Sequence, residues 1–109
     1  MKKNKPLAIK LKSKNKYLRL LSGPPQTAGM RSGLVRLKSG EEIGEHSTAD
    51  KEEILIILKG RAKISLEKHP ASTVRAGYLI YIPPHTSHNV TNTGRQLLRY
   101  VYIVAPAVR

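Results

Sequence analysis

Residues 45–53, EHSTADKEE, set one histidine among four carboxylates, and residues 83–89, PPHTSHN, set His85 and His88 three positions apart. Imidazole and carboxylate at this density suit either proton transfer or coordination of a divalent metal. The alternative is a solvated acidic turn beside an unrelated histidine loop. The chain has no cysteine, so any metal must be held by nitrogen and oxygen ligands, and the composition fits a reducing cytoplasm.

The elements that must position these groups are read from periodicity. LAIKLKSK, residues 7–14, alternates Leu7, Ile9 and Leu11 with Ala8, Lys10 and Lys12, so a strand is expected to open the domain after a flexible basic lead over residues 1–6. SGPPQTAGMRSG, residues 22–33, carries three glycines and two prolines and reads as a loop. The runs GLVRLKSG, EILIILKGRAKISLE, STVRAGYLIYIPP and QLLRYVYIVAP are rich in Val, Ile, Leu and Tyr, and turn residues separate them. After residue 30 no apolar pattern of period 3.6 is sustained long enough for a core helix, so residues 7–109 are expected to form a single all-β domain, a sandwich or barrel. Ile54, Leu55, Ile56, Ile57 and Leu58 are apolar at both parities, which predicts packing on both faces of that strand, one of them against a second layer or a partner subunit. A homodimer is the expected assembly.

Charge is unevenly placed. Residues 1–40 carry +11 with no acid, residues 41–53 carry −5, and residues 54–109 carry +7, within a net charge of +13. The basic head invites a nucleic-acid reading through counterion release. Only Tyr17 accompanies the charges there, and the chain has no Phe or Trp, so the stacking platforms of single-strand binders are lacking and nucleic acid is not the expected partner. No segment approaches the ~20 apolar residues of a membrane span, and the basic start is not followed by the apolar run of a signal peptide, so a cytoplasmic protein without membrane contact is expected.

The spacing is informative beyond composition. From Gly40, five residues lead to His46, one more to Thr48, four more to Glu53 and six more to Gly60; from Gly77, five residues lead to Pro83, one more to His85, two more to His88 and three more to Asn92. This resembles the two signature motifs of the cupin superfamily over roughly residues 34–105, with matches at Gly40, His46, Glu53, Gly60, Gly77, Pro83, His88 and Asn92. Thr48 stands where the family places a second metal histidine, and His85 stands at its motif glycine. The resemblance implies a double-stranded β-helix, or jelly-roll barrel, with His46, Glu53 and His88 as ligands of one divalent metal: Fe, Mn, Ni, Co or Zn. His46 and Thr48 share a strand parity, and the turn TADKE is expected to return Glu53 on the neighbouring strand opposite them. Glu52 has the opposite parity, and the six-residue step to Gly60 selects Glu53.

His85 has two readings, a left-handed turn residue or a replacement metal ligand. Tyr100 and Tyr102 share one face of the last strand and are candidates to close a pocket near the metal, with Thr48 beside them. Arg36, after the loop that carries Met30 and Arg31, is a further pocket candidate and would favour a carboxylate or phosphate. The functional expectation is a metal-binding cupin acting on a small polar molecule, an isomerase, epimerase or dioxygenase. The alternative is a binding or sensing module without turnover.

Overall fold

Short β-rich runs punctuated by turn residues fold, in the computed structural model, which describes residues 4–107, into nine strands. These are β1 (Tyr17–Ser22), β2 (Arg31–Leu37), β3 (His46–Ser47), β4 (Lys51–Lys59), β5 (Arg61–Leu66), β6 (Ser72–Arg75), β7 (Leu79–Ile82), β8 (Ser87–Asn92) and β9 (Leu98–Pro106). A five-stranded sheet has the order β1-β2-β9-β4-β7 and a four-stranded sheet the order β3-β8-β5-β6, with every pairing antiparallel. The all-β class expected from the sequence is the fold observed. Among the described residues no helix is long and apolar enough to cross a membrane.

The core lies between the two sheets. The larger contributes Val35, Leu37, Leu55, Ile57, Ile82 and Leu98, and the smaller contributes Ala62, Ile64, Val74 and Val90. Alternation explains the selection: Leu55 and Ile57 point inward, while Ile54 and Ile56 point outward and stay half-buried. The outer face of the larger sheet has its own small cluster of Leu20, Leu34 and Val101, with Leu58 and Ile103 against it. Cover on both faces of β4, expected from its apolar run, is thus complete inside and partial outside.

Two glycines fix the frame. Gly60 turns β4 into β5 at φ +89°, and a Cβ there would sit 2.6 Å from the Leu97 carbonyl oxygen. Gly33 on β2 leaves room for a ring: a Cβ there would meet Tyr102 at 2.5 Å.

The strand expected over residues 7–14 does not form. Leu7, Ile9 and Leu11 are 50%, 39% and 42% exposed. The segment pairs with no strand and is fastened by single contacts, such as Arg99 Nη2 donating to the Leu11 carbonyl at 2.8 Å. The first strand of the barrel is β1, ten residues later.

Candidate metal centre

β3 and β8 pair with His46 directly opposite His88, so the two imidazoles stand side by side with ring centroids 4.2 Å apart. Glu53 comes from the facing sheet. The expected hairpin between His46 and Glu53 is not what forms: the turn after β3 crosses from the smaller sheet to the larger, and Glu53 meets the histidines across the barrel. A two-residue β3 is too short to support a ladder with β4, and its backbone is already paired with β8. One ligand atom from each of His46, Glu53 and His88 lies within 4.8 Å of the others. Glu52 faces outward, where its carboxylate accepts a hydrogen bond from the Tyr81 hydroxyl at 2.7 Å.

The tautomers follow from the carbonyls. His46 Nδ1 lies 2.9 Å from the Gly44 oxygen and His88 Nδ1 lies 3.1 Å from the Thr86 oxygen; a carbonyl only accepts, so each Nδ1 carries a proton and donates it. In the neutral imidazoles both Nε2 atoms then present lone pairs. His88 Nε2 sits 2.9 Å from Glu53 Oε1, at ion-pair distance but off the angle of a hydrogen bond, and it has no hydrogen-bond partner. With His88 2% and Glu53 6% exposed, a buried lone pair faces a buried carboxylate. Such an arrangement calls for a positive centre between the two. A proton is one. Burial pulls the His88 imidazole down, but the Glu53 carboxylate and the Thr86 carbonyl outweigh it, and its pKa is raised above the ordinary value. A divalent cation is the other, and two imidazoles with backbone-anchored Nδ1–H groups plus one carboxylate are a chemically fitting donor set for it.

Around this triad a cavity of about 440 Å3 opens to solvent. Its wall is mainly apolar, from Val35, Ile43, Leu55 and Val90, with Tyr17, Tyr100 and Tyr102 adding rings. Tyr100 is 2% exposed, and burial together with the nearby Glu53 charge pushes its phenol well above the usual tyrosine range, so the hydroxyl stays protonated. Lys51 stands in the lining and was not singled out from the sequence, where it read as one charge in an acidic cluster. The apolar wall was equally illegible, because it is assembled from strands far apart in sequence.

Thr48 lines the cavity, but its hydroxyl is committed elsewhere. It donates to the Pro83 carbonyl at 2.8 Å and accepts from the Thr86 amide at 3.1 Å. At this position the chain has a clamp between the two motif segments in place of a histidine. His85 is exposed, lies outside the triad and has φ +54°, the left-handed conformation expected of a turn residue; the replacement-ligand reading has no geometric support. Arg36 is also misplaced in the sequence reading. It shares the outward parity of Leu34, whereas Val35 and Leu37 face the core, so it does not reach the cavity. Arg31 donates to the Ser22 carbonyl and Met30 lines a separate surface hollow.

A family model described as Cupin domain matches residues 33–104. The chain belongs to the cupin family. Two curated relatives match this cupin over 85 residues, 75% of its length: Protein SchB of Streptomyces halstedii at 32% identity and Polyketide synthase CurC of Streptomyces cyaneus at 31%. The cupin spans 61% and 54% of the length of those two relatives. Among solved structures, the cupin domain of Schizosaccharomyces pombe Cnp3 superposes with a TM-score of 0.81 at 17% identity, covering 93% of this cupin and 70% of that chain. A Cupin 2 conserved barrel domain protein from Salinispora arenicola superposes at 0.73 and 24% identity, covering 98% and 91%. At these identities the structural likeness establishes the double-stranded β-helix and nothing finer.

Proposed function

We propose that this cupin holds one divalent metal on His46, Glu53 and His88 and acts on a small organic molecule whose apolar body lies against the barrel wall and whose oxygen faces the triad. The observation that carries this reading is the buried His88 Nε2, without a hydrogen-bond partner, beside a buried carboxylate. A metal held there supplies Lewis acidity at a substrate oxygen or, if it is iron, a place for dioxygen, so isomerase and dioxygenase chemistries share the same ligand set. Glu53 and the two imidazoles bind and orient the ion, and the Gly44 and Thr86 carbonyls hold the rings in the ligating tautomer. Tyr100 keeps its proton and is available to donate a hydrogen bond to a substrate oxygen. The apolar wall suits a ring-bearing molecule better than a sugar. The name of CurC associates that relative with a polyketide synthase, which supports a polyketide-type ring compound as the substrate class here.

A binding module without turnover is the second reading. It is favoured by the scarcity of proton acceptors in the lining: outside the triad, Lys51 and the tyrosines are the titratable groups there. Bound metal measured by mass spectrometry on wild type, His46→Ala and Glu53→Gln tests the shared premise. One ion per chain in wild type and loss in both variants is expected; no metal in wild type after exposure to Fe(II), Mn(II) and Zn(II) would end it. Turnover or oxygen uptake with phenolic and enolic ring compounds then separates enzyme from module.

A second copy of the chain is the proposed partner. Half-buried Ile54 and Ile56 lie beside Leu79, 60% exposed, on the outer face of the larger sheet, and Leu7, Ile9 and Leu11 keep a strand's alternation without a ladder. Light scattering should give twice the chain mass, with Leu79→Lys shifting it to the monomer; a monomeric wild type at high micromolar concentration removes the proposal.

A further inference from the structure

At the end of the barrel away from the triad, Arg61, Arg75 and Arg95 line one cleft of about 550 Å3. Glu53 and Gly60 mark the two ends along β4, seven residues or about 23 Å apart at the rise of a strand. Arg61 and Arg75 are direct partners across β5 and β6, and like charges placed opposite one another on adjacent strands repel. No carboxylate lines the cleft. Among the described residues the ion pairs belong to Lys16, Lys51 and His88, and the arginines that donate hydrogen bonds are Arg31 and Arg99, so these three guanidiniums have no protein acceptor.

The walls carrying them are held firmly. The Asn92 side chain donates to the carbonyls of Leu37 and Gln96 and accepts from the Gly94 amide, which fixes the loop that bears Arg95. Ser39 Oγ donates to the Gly94 carbonyl at 2.6 Å. The Ala76 amide donates to the Gly60 carbonyl, tying the turn after Arg75 to the turn before Arg61. Arg75 lies over the Tyr78 ring at 5.4 Å, a cation–π contact that uses none of its N–H donors. Three exposed guanidiniums without a protein acceptor, two of them at directly opposed strand positions, form a charge arrangement that a multivalent oxyanion would complete.

We propose that this arginine cleft binds a small phosphate-bearing ligand, at a site separate from the metal pocket. The cleft has room for a phosphorylated small molecule, and it does not depend on whether a metal binds at the triad.

The test uses inorganic phosphate and pyrophosphate as probes, with calorimetry and thermal unfolding at 150 mM NaCl. Saturable binding with a rise in unfolding temperature is expected, weakened about tenfold by each of Arg61→Gln, Arg75→Gln and Arg95→Gln. Removing an equal charge from the basic head, Lys10→Gln with Lys12→Gln and Lys14→Gln, is expected to leave binding within twofold, and His46→Ala to leave it unchanged. Without anion, Arg75→Gln is expected to unfold at a higher temperature than wild type, because the repulsion with Arg61 is relieved; this readout holds the proposal to account even if a variant binds poorly for other reasons. Equal weakening by the lysine variant, or no saturable binding at 10 mM probe, overturns the proposal. So does binding of a single-stranded oligonucleotide that neither pyrophosphate nor the arginine variants reduce.

Discussion

Replacing Thr48 with valine removes one hydroxyl and keeps the side-chain shape. In the folded protein that hydroxyl joins the segment after β3 to the segment before β8 through the Pro83 carbonyl and the Thr86 amide, at a site 7% exposed. Valine leaves the buried Thr86 N–H without a partner, at a cost of about 1–3 kcal/mol, and forfeits the Pro83 bond, worth about 1 kcal/mol net. The methyl that replaces the hydroxyl returns less than about 0.8 kcal/mol by burial. The expected loss is about 2 kcal/mol, which for a domain of this size lowers the unfolding temperature by roughly 10 °C. Because the same segment supplies the Thr86 carbonyl that orients His88, metal affinity should fall as well, by about 10- to 100-fold as for other outer-sphere partners. Urea unfolding of metal-free Thr48→Val and Thr48→Ser, followed by metal titration, checks both parts. Serine keeps both bonds and should retain most of the stability. If valine unfolds at the wild-type midpoint, or serine is the weaker of the two, the hydroxyl is not the clamp described.

Three further outcomes are expected. In the metal-free protein the raised His88 pKa means that the His88–Glu53 pair stabilises fully below pH ~6.5 and that this contribution is lost as pH rises through the folded pKa; metal affinity runs the other way, increasing over the same window as the ion replaces the proton. Urea midpoints between pH 5.5 and 9, with and without metal, should slope in opposite senses, and His88→Gln should flatten the metal-free slope. Gly33→Ala puts a methyl into the Tyr102 ring and should shift that ring, visible as altered tyrosine fluorescence, with a loss of about 1–3 kcal/mol in unfolding free energy. Asn92→Ala frees three backbone groups at the arginine end of the barrel and should cost about 3 kcal/mol, measured by urea unfolding, while leaving the metal stoichiometry of the distant triad intact.

The sequence carried the triad by spacing but not by topology. His46 and His88 are brought opposite one another by β3 and β8, two elements with little apolar signal: SHNVTN hides three buried positions among polar residue types. Glu53 could be told from Glu52 because alternation and the step to Gly60 agree. That it arrives from the facing sheet could not be read, since a turn's composition does not say which edge the next strand will join. The strand expected at residues 7–14 has the right period but pairs with no neighbour, so alternation alone was insufficient. Thr48 lines the cavity as expected, but its hydroxyl bonds were not legible, and the placement of Arg36 failed for a similar reason. A hydroxyl's partner and a side chain's facing are set by what lies opposite, which the local pattern does not contain.

The strand order of the larger sheet has a consequence for how the chain reaches this state. β9, the last strand in chain order, lies between β2 and β4. Until residues 98–106 leave the ribosome, β2 and β4 each have an open inner edge, and neither the sheet nor the wall carrying Tyr100 and Tyr102 can close. Folding must wait for the end of this segment's synthesis and proceed through non-local pairing, the slow and aggregation-exposed regime. The triad is a late product of that sequence: Glu53 sits on a strand paired with β9 on one side, so the sheet that carries it toward His46 and His88 is incomplete until β9 docks.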